Sequence, residues 1–313
     1  MKIKQFFPII GIAIFVFLLI KLDVSKVIDE VLDMNLNFFI VALFLAIIVI
    51  LMQTLKWFVI AKQQKINVPF LEAIKINLIG AFYGFITPAK VGNVIRASYL
   101  KKYSENNLGK GVGNFVLDKI LDLCSLGFSV VIASFFFGKL VQISYVFSIL
   151  LLLSFVILLG VIMSENWSRI IVQIINKIIG GFVPENLKNK IKEGFYSFHE
   201  DKPKKRYLLL FFLINMSTWI ILYLTMFFVG LAIGIDVPFF YYLIILPVAT
   251  LVAQIPITIS GLGTREVTLI GLFGLLGVGA TKVFSMALIS LFLGDVIPDF
   301  FGFLFSFKKE KNV

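Results

Sequence analysis

"PITISGLGTREVTLIG", Pro256 to Gly271, places an arginine and a glutamate side by side, just after Pro256, Gly261 and Gly263, inside an otherwise apolar run. A charge at the centre of a membrane span costs about 2.5–3.5 kcal/mol on insertion scales, so Arg265 and Glu266 need a reason to be there. Upstream, "FITPAKVGNVIRASYL", Phe85 to Leu100, has the same construction. The words before the two stretches, "NVPF" at Asn67 and "DVPF" at Asp236, fix an offset of 169 residues (236 − 67). At that offset Ile86 falls on Ile255, Gly92 on Gly261, Arg96 on Arg265 and Leu100 on Leu269, while Pro88 lies one place from the counterpart of Pro256. The chain reads as an internal repeat of a broken-helix unit.

The surrounding composition sets the solvent. Of 313 residues, 59% are hydrophobic and 15% charged, and the mean hydropathy is +1.00, which points to a polytopic membrane protein. Apolar runs of about 20 residues predict six full spans, near Phe6–Ile20, Phe38–Ile60, Gly111–Phe137, Ile143–Met163, Tyr207–Ile233 and Lys282–Phe307. The first follows a Lys-rich start without a small-x-small cleavage site and reads as a retained helix. Val24, Val27, Ile28, Val31 and Leu32 then recur at helical spacing and predict an interfacial amphipathic helix.

Nineteen of the 29 Lys and Arg fall at the termini or in loops that this arrangement puts on one side, so the positive-inside rule places both termini in the cytoplasm, with the cell membrane as the expected location. The basic pI of about 9.6 comes from these juxtamembrane cations, for which anionic lipid, not nucleic acid, is the expected partner. Six cations lie within or beside apolar sequence: Lys56, Lys75, Lys90, Arg96, Lys119 and Arg265. Gln53, Lys56 and Trp57 read as snorkelling or interfacial side chains. The phenylalanine excess reads as lipid contact and core.

Three spans separate the two copies, so the second enters the membrane in the opposite sense, as in transporters with inverted repeats. Each interrupted stretch is expected to be a re-entrant helical hairpin, the first breaking at Thr87–Gly92 and the second at Ile255–Thr264. Pro88, Gly92, Pro256, Gly261 and Gly263 supply the breaks. A half-helix restarts after each, with Asn93 and Thr264 as the expected N-caps and Arg96 and Arg265 in the first turn. Helix N-termini and guanidinium forks both suit phosphate, so Arg96, Arg265, Gly92, Asn93, Gly261, Gly263 and Thr264 form the candidate substrate site. The plain alternative is pairing that fixes helix packing: Arg265 with Glu266 or Asp295, Arg96 with Asp118 or Asp122. Glu266, Asp118, Asp122 and Asp295 are the candidate counter-charges or coupling groups. "NFVLDKILDL" can be a local salt-bridge face or a gate, and "GDVIPDF" puts Asp295 and Asp299 at matching depth, with a kink expected near Pro298.

Catalysis has little to work with. The single cysteine, Cys124, excludes an intrachain disulfide and a thiolate cluster. The only histidine, His199, lies in the charged loop, and no nucleophile set, nucleotide loop or metal spacing is present. No cofactor, metal or enzymatic activity is expected. The expected division is 1–37 (terminal and interfacial helices), 38–163 (first repeat), 164–206 (basic cytoplasmic loop) and 207–313 (second repeat).

At "FITPAKVGNVIRASYL", "FVLDKILDL" and "PITISGLGTREVTL" the chain resembles the flippase-like family known as the lysylphosphatidylglycerol synthase transmembrane region, over about Phe38 to Phe307. It departs from the family at Asn93, where Glu is common, and at Asp118-Lys119, where Glu-Arg is common. The resemblance implies movement of lipid between leaflets. Larger members append a soluble aminoacyltransferase half, which a chain stopping at Val313 is expected to lack. The leading expectation is a flippase or scramblase for an anionic phospholipid or a polyprenyl-phosphate-linked lipid. The alternative is a non-transporting partner that recruits a glycosyltransferase or aminoacyltransferase through the basic loop.

Overall fold

In a computed structural model, residues 7–87, 90–141, 144–167, 169–170, 203–255 and 258–307 are described, and the regular structure among them is helical. Pro88, Pro256, His199 and most of the basic loop lie outside these residues. Among the described residues three helices are long and apolar enough to cross a membrane: Leu36–Gln63, Lys205–Ala232 and Ala280–Phe307. They take up the expected spans at Phe38, Tyr207 and Lys282. The other three expected spans are also helical, as α1 (Phe7–Lys21), α6 (Leu108–Val141) and α7 (Tyr145–Met163). The short amphipathic segment is α2, Val24–Leu32, with Asp23 as its N-cap accepting from the Ser25 N–H.

α3 (Leu36–Gln63) and α8 (Leu208–Ala232) form a central antiparallel pair. The Asn35 N–H donates to the Ala232 carbonyl at 2.7 Å, and the Phe38 and Phe228 rings lie 6.3 Å apart. At the other end Ile60 packs with Phe211. Small residues on α3, Ala42 and Ala46, are buried in the same cluster as Tyr223 and Val229 of α8 and let the two backbones approach.

Each broken unit folds as two arms packed on each other. In the first, α4 (Phe70–Phe85) is followed by a 3₁₀ turn, Val91–Ile95, and by α5, Arg96–Leu100. The stretch ends where it began: the Asn67 N–H donates to the Tyr103 carbonyl at 3.2 Å, and Leu100 is buried with Ile66, Val68 and Ala73. Close approach explains Gly92, where a Cβ would collide with the backbone carbonyl of Tyr83. In the second, α9 (Phe239–Ala253) returns through α10 (Thr264–Gly274), and Tyr242 near the start meets Phe273 near the end with ring centroids 5.0 Å apart. Gly261, with φ +80°, sits against Ala253.

The element bounds keep the spacing of the sequence match. Shifted by 169 residues, 36–63 becomes 205–232 and 70–85 becomes 239–254, against observed helices Lys205–Ala232 and Phe239–Ala253. The two long helices cross over between the units. α6 packs on α9 through Val130, Ala133, Ile244 and Val248. The last span, made of α11 (Ala280–Leu291), a π-turn at Phe292–Val296 and α12 (Ile297–Phe307), packs on α4. The π-turn lies just before Pro298, whose missing N–H removes an i→i−4 bond, so the distortion expected there takes this form.

Candidate functional site

The first break feeds an ion-pair array. Arg96, the first residue of α5, is 6% exposed and donates from Nη2 to Asp118 Oδ2 of α6 at 2.8 Å. Lys56 of α3 reaches the same carboxylate, with Nζ 3.3 Å from Asp118 Oδ1, and donates to Asp122 Oδ1 at 2.6 Å. The guanidinium also lies over two aromatic faces, 5.3 Å from the Trp57 ring and 5.9 Å from that of Phe115. Trp57 is fixed from behind by its Nε1–H donating to Asn77 Oδ1 at 3.1 Å. A Cβ on Gly80 of α4 would lie 2.6 Å from Arg96 Cγ, so this glycine leaves the space that the arginine stem fills. Lys56 and Trp57 are therefore interior groups, not snorkelling ones: Lys56 is buried because two carboxylates one helical turn apart on α6 meet its ammonium.

Asn93 does not cap. Lys90 occupies that position with a left-handed φ of 55°, and Asn93 is the third residue of the 3₁₀ turn, pressed against Gly84. Lys90 in turn donates to Asp295 Oδ1 in the π-turn at 2.7 Å. The carboxylates of "NFVLDKILDL" thus pair with other elements, and Lys119 also looks away, donating to Gln254 Oε1 at 3.0 Å.

The second break is built differently. Gly263, with φ 83°, is the N-cap of α10, and its N–H donates to Glu266 Oε2 at 2.6 Å. Gly263 has no side chain to complete a reciprocal capping box, so the glutamate supplies half of the motif while the Arg265 N–H donates to the Gly261 carbonyl at 2.9 Å. Thr264, expected as the cap, is the first helical residue, and its hydroxyl donates to the Gly261 carbonyl at 3.0 Å. Arg265 donates from Nε to the other oxygen of Glu266 at 3.2 Å. The helix tips therefore offer phosphate less than expected: α5 has only five residues, and the tip of α10 already holds its own carboxylate.

What the two breaks share is a cavity of about 250 Å³. Arg96, Arg265, Asn93, Asp118, Asp122 and Asp295 line it. Gly92, Gly261, Gly263, Thr264 and Glu266 do not, and stand behind it as the frame of the two breaks. Three further cations, Lys56, Lys90 and Lys119, also line it. They were visible in the sequence as charges in apolar context; what the sequence lacked was their direction. Lys75, with the same signature, pairs with Glu72 on the outside of α4. Both arginines keep one buried donor without a protein partner, Arg96 Nε and Arg265 Nη2. No group of three or more His, Cys, Asp or Glu side chains arranged to hold a metal occurs among the described residues.

Apolar helices with ionisable groups turned onto one interior cavity define a multi-pass membrane protein with a charged internal site. The chain belongs to the family of the lysylphosphatidylglycerol synthase TM region, which matches residues 8–294. It is similar to a UPF0104 membrane protein of Pyrococcus horikoshii, 24% identical over 98% of each chain. A UPF0104 membrane protein of Methanocaldococcus jannaschii is 26% identical over 74% of this chain and 96% of its own length. One of Methanothermobacter thermautotrophicus is 24% identical over 97% of this chain and 92% of its own.

Proposed function

We propose that the chain is a lipid transporter that carries an anionic headgroup between leaflets of the cell membrane, with the phosphate held between Arg96 and Arg265. In this reading it is not an enzyme, both termini are cytoplasmic, and the two broken units are re-entrant hairpins of an inverted repeat. The return of each hairpin to its own starting point and the shared spacing of the element bounds support the hairpins. Their mutual inversion rests on the charge distribution of the loops.

The observation that carries the function is that arginines from two separate breaks line one cavity, each with a buried N–H donor left over. Phosphate oxygens are the natural acceptors, because a guanidinium can keep a carboxylate on one edge and offer another to a phosphate. The test uses proteoliposomes containing a fluorescent anionic phospholipid and a membrane-impermeant quencher. Loss of one charge-assisted contact, about 1.5–3 kcal/mol, is expected to slow transport roughly tenfold or more in Arg265→Ala. Transport by Arg265→Ala and Arg96→Lys as fast as by the parent protein would remove the phosphate site.

A further inference from the structure

The last helix carries a second carboxylate that the phosphate site does not use. Asp299 lies four residues beyond Asp295, so both project from one side of the helix about a turn apart. It is 5% exposed, and its Oδ2 is buried without a hydrogen-bond partner. No ion pair involves it among the described residues. The helix is pressed tightly here, because a Cβ on Gly302 would collide with the carbonyl of Leu78 on α4. Among the described residues, Asp295 on its own span and Lys90 at the tip of the first hairpin act on Asp299 electrostatically. From α4, Phe82 packs against Phe303 with ring centroids 5.3 Å apart.

An ionised carboxylate in such a place, beside another carboxylate and with Lys90 already bonded to Asp295, is not sustainable. A proton or a bound cation must accompany it. A sodium ion needs several oxygen ligands, and among the described residues no third acidic group joins Asp295 and Asp299.

We propose that Asp299 is a proton-binding site that couples lipid movement to the proton gradient, an inference that rests on the transport reading above. With Asp299 protonated, Lys90 belongs to Asp295 alone, the arrangement observed at 2.7 Å. When Asp299 loses its proton to water, a second anion competes for the same ammonium. Lys90 sits at the turn of the hairpin, six residues before Arg96, so a shift of its ammonium between the two carboxylates moves the segment that carries the phosphate-binding arginine. Binding one proton thus biases which of two positions the hairpin tip occupies.

Two measurements separate this inference from the function on which it rests. Infrared difference spectra of the full protein in detergent, recorded across a pH titration, are expected to contain a protonated-carboxyl band that Asp299→Asn removes and Asp299→Glu restores at a shifted position. Absence of any band that depends on Asp299 overturns the proton site, whether or not lipid moves. In proteoliposomes with the fluorescent anionic phospholipid, one proton per lipid shifts the leaflet ratio by up to about tenfold for a gradient of one pH unit. Asp299→Asn is expected to move lipid without responding to the gradient. A parent protein that transports but ignores the gradient, or a response that persists in Asp299→Asn or follows sodium instead, defeats the coupling and leaves the transport reading standing. A parent protein that moves no anionic lipid defeats the transport reading and, with it, the coupling.

Discussion

Arg96 and Arg265 stand 169 residues apart at matching positions of the two broken units, and they are anchored in opposite ways. Arg96 is tied across the fold to Asp118 on α6, under two aromatic faces and next to Lys56. Arg265 is tied to its own neighbour, Glu266, which is committed to the cap at Gly263. Their side chains are 8% and 23% exposed. The first hairpin is thus fastened to the bundle through its arginine, whereas the second is closed on itself and presents its arginine to the cavity. Matching positions in the sequence set where a charge goes, but the partner depends on what each broken unit packs against.

The largest effect is expected where the fastening is longest. Arg96→Ala leaves Asp118 buried with only Lys56 opposite, and removing one partner of a buried ion pair costs about 3–5 kcal/mol. Arg265→Ala leaves the buried Glu266 carboxylate on the Gly263 N–H and is expected to cost less than Arg96→Ala, about 1–3 kcal/mol, since Arg265 itself is partly exposed and the carboxylate keeps one donor. Thermal unfolding of the two variants in detergent measures the difference. Equal destabilisation would mean that the two arginines do the same structural job.

A smaller effect separates the turns. Gly261 combines a φ of +80° with close contact to Ala253, so Gly261→Ala is expected to lose about 1–3 kcal/mol. Next comes the cap: Glu266→Gln keeps a hydrogen-bond acceptor for Gly263 but loses the charge, and should cost within the range of about 0.5–2 kcal/mol for a lost cap, towards its lower end. If Glu266→Gln proved as damaging as Arg96→Ala, the glutamate would be fastening the second hairpin to the bundle as well.

The sequence revealed the breaks because they are written in residue types with strong local meaning. Gly92 and Gly261 recur at one offset, and the charges stand out against apolar surroundings. It also narrowed the partners correctly to pairs, Asp118 or Asp122 for Arg96 and Glu266 or Asp295 for Arg265, but could not choose between them. The choice depends on helix rotation. Asp118 and Asp122 face α3 and α5, whereas Lys119, next in sequence, faces the second hairpin. Lys56 departs from its sequence expectation for the same reason: a lysine seven residues from the end of a long helix can snorkel, and only the approach of α6 turns it into a buried counter-ion. The caps failed on a finer point. Lys90 and Gly263 take left-handed or related backbone angles that make them the turning residues, one place or more before the polar side chains that the local rule favours.

The smallest expected effect tests how each hairpin tip meets the rest of the bundle. Lys90 of the first tip pairs with a carboxylate, Asp295, whereas Gln254 at the end of the second hairpin's first arm meets an ammonium, Lys119, through a neutral amide. Both contacts lie at the cavity, but only the first joins two charges. Lys119→Met keeps the length of the stem and removes one hydrogen bond to an acceptor that still lines the cavity, so stability should fall by about 1 kcal/mol or less. Lys90→Met, which leaves Asp295 without its ammonium, should cost more in the same thermal measurement. Lys119 would then be a cation kept for the cavity's charge rather than for the fold, so under the proposed transport function lipid movement should fall in Lys119→Met while the unfolding temperature stays close to that of the parent. A large loss of stability with unchanged transport would instead make Lys119 a strut between α6 and the second hairpin, and the two tips would be fastened alike.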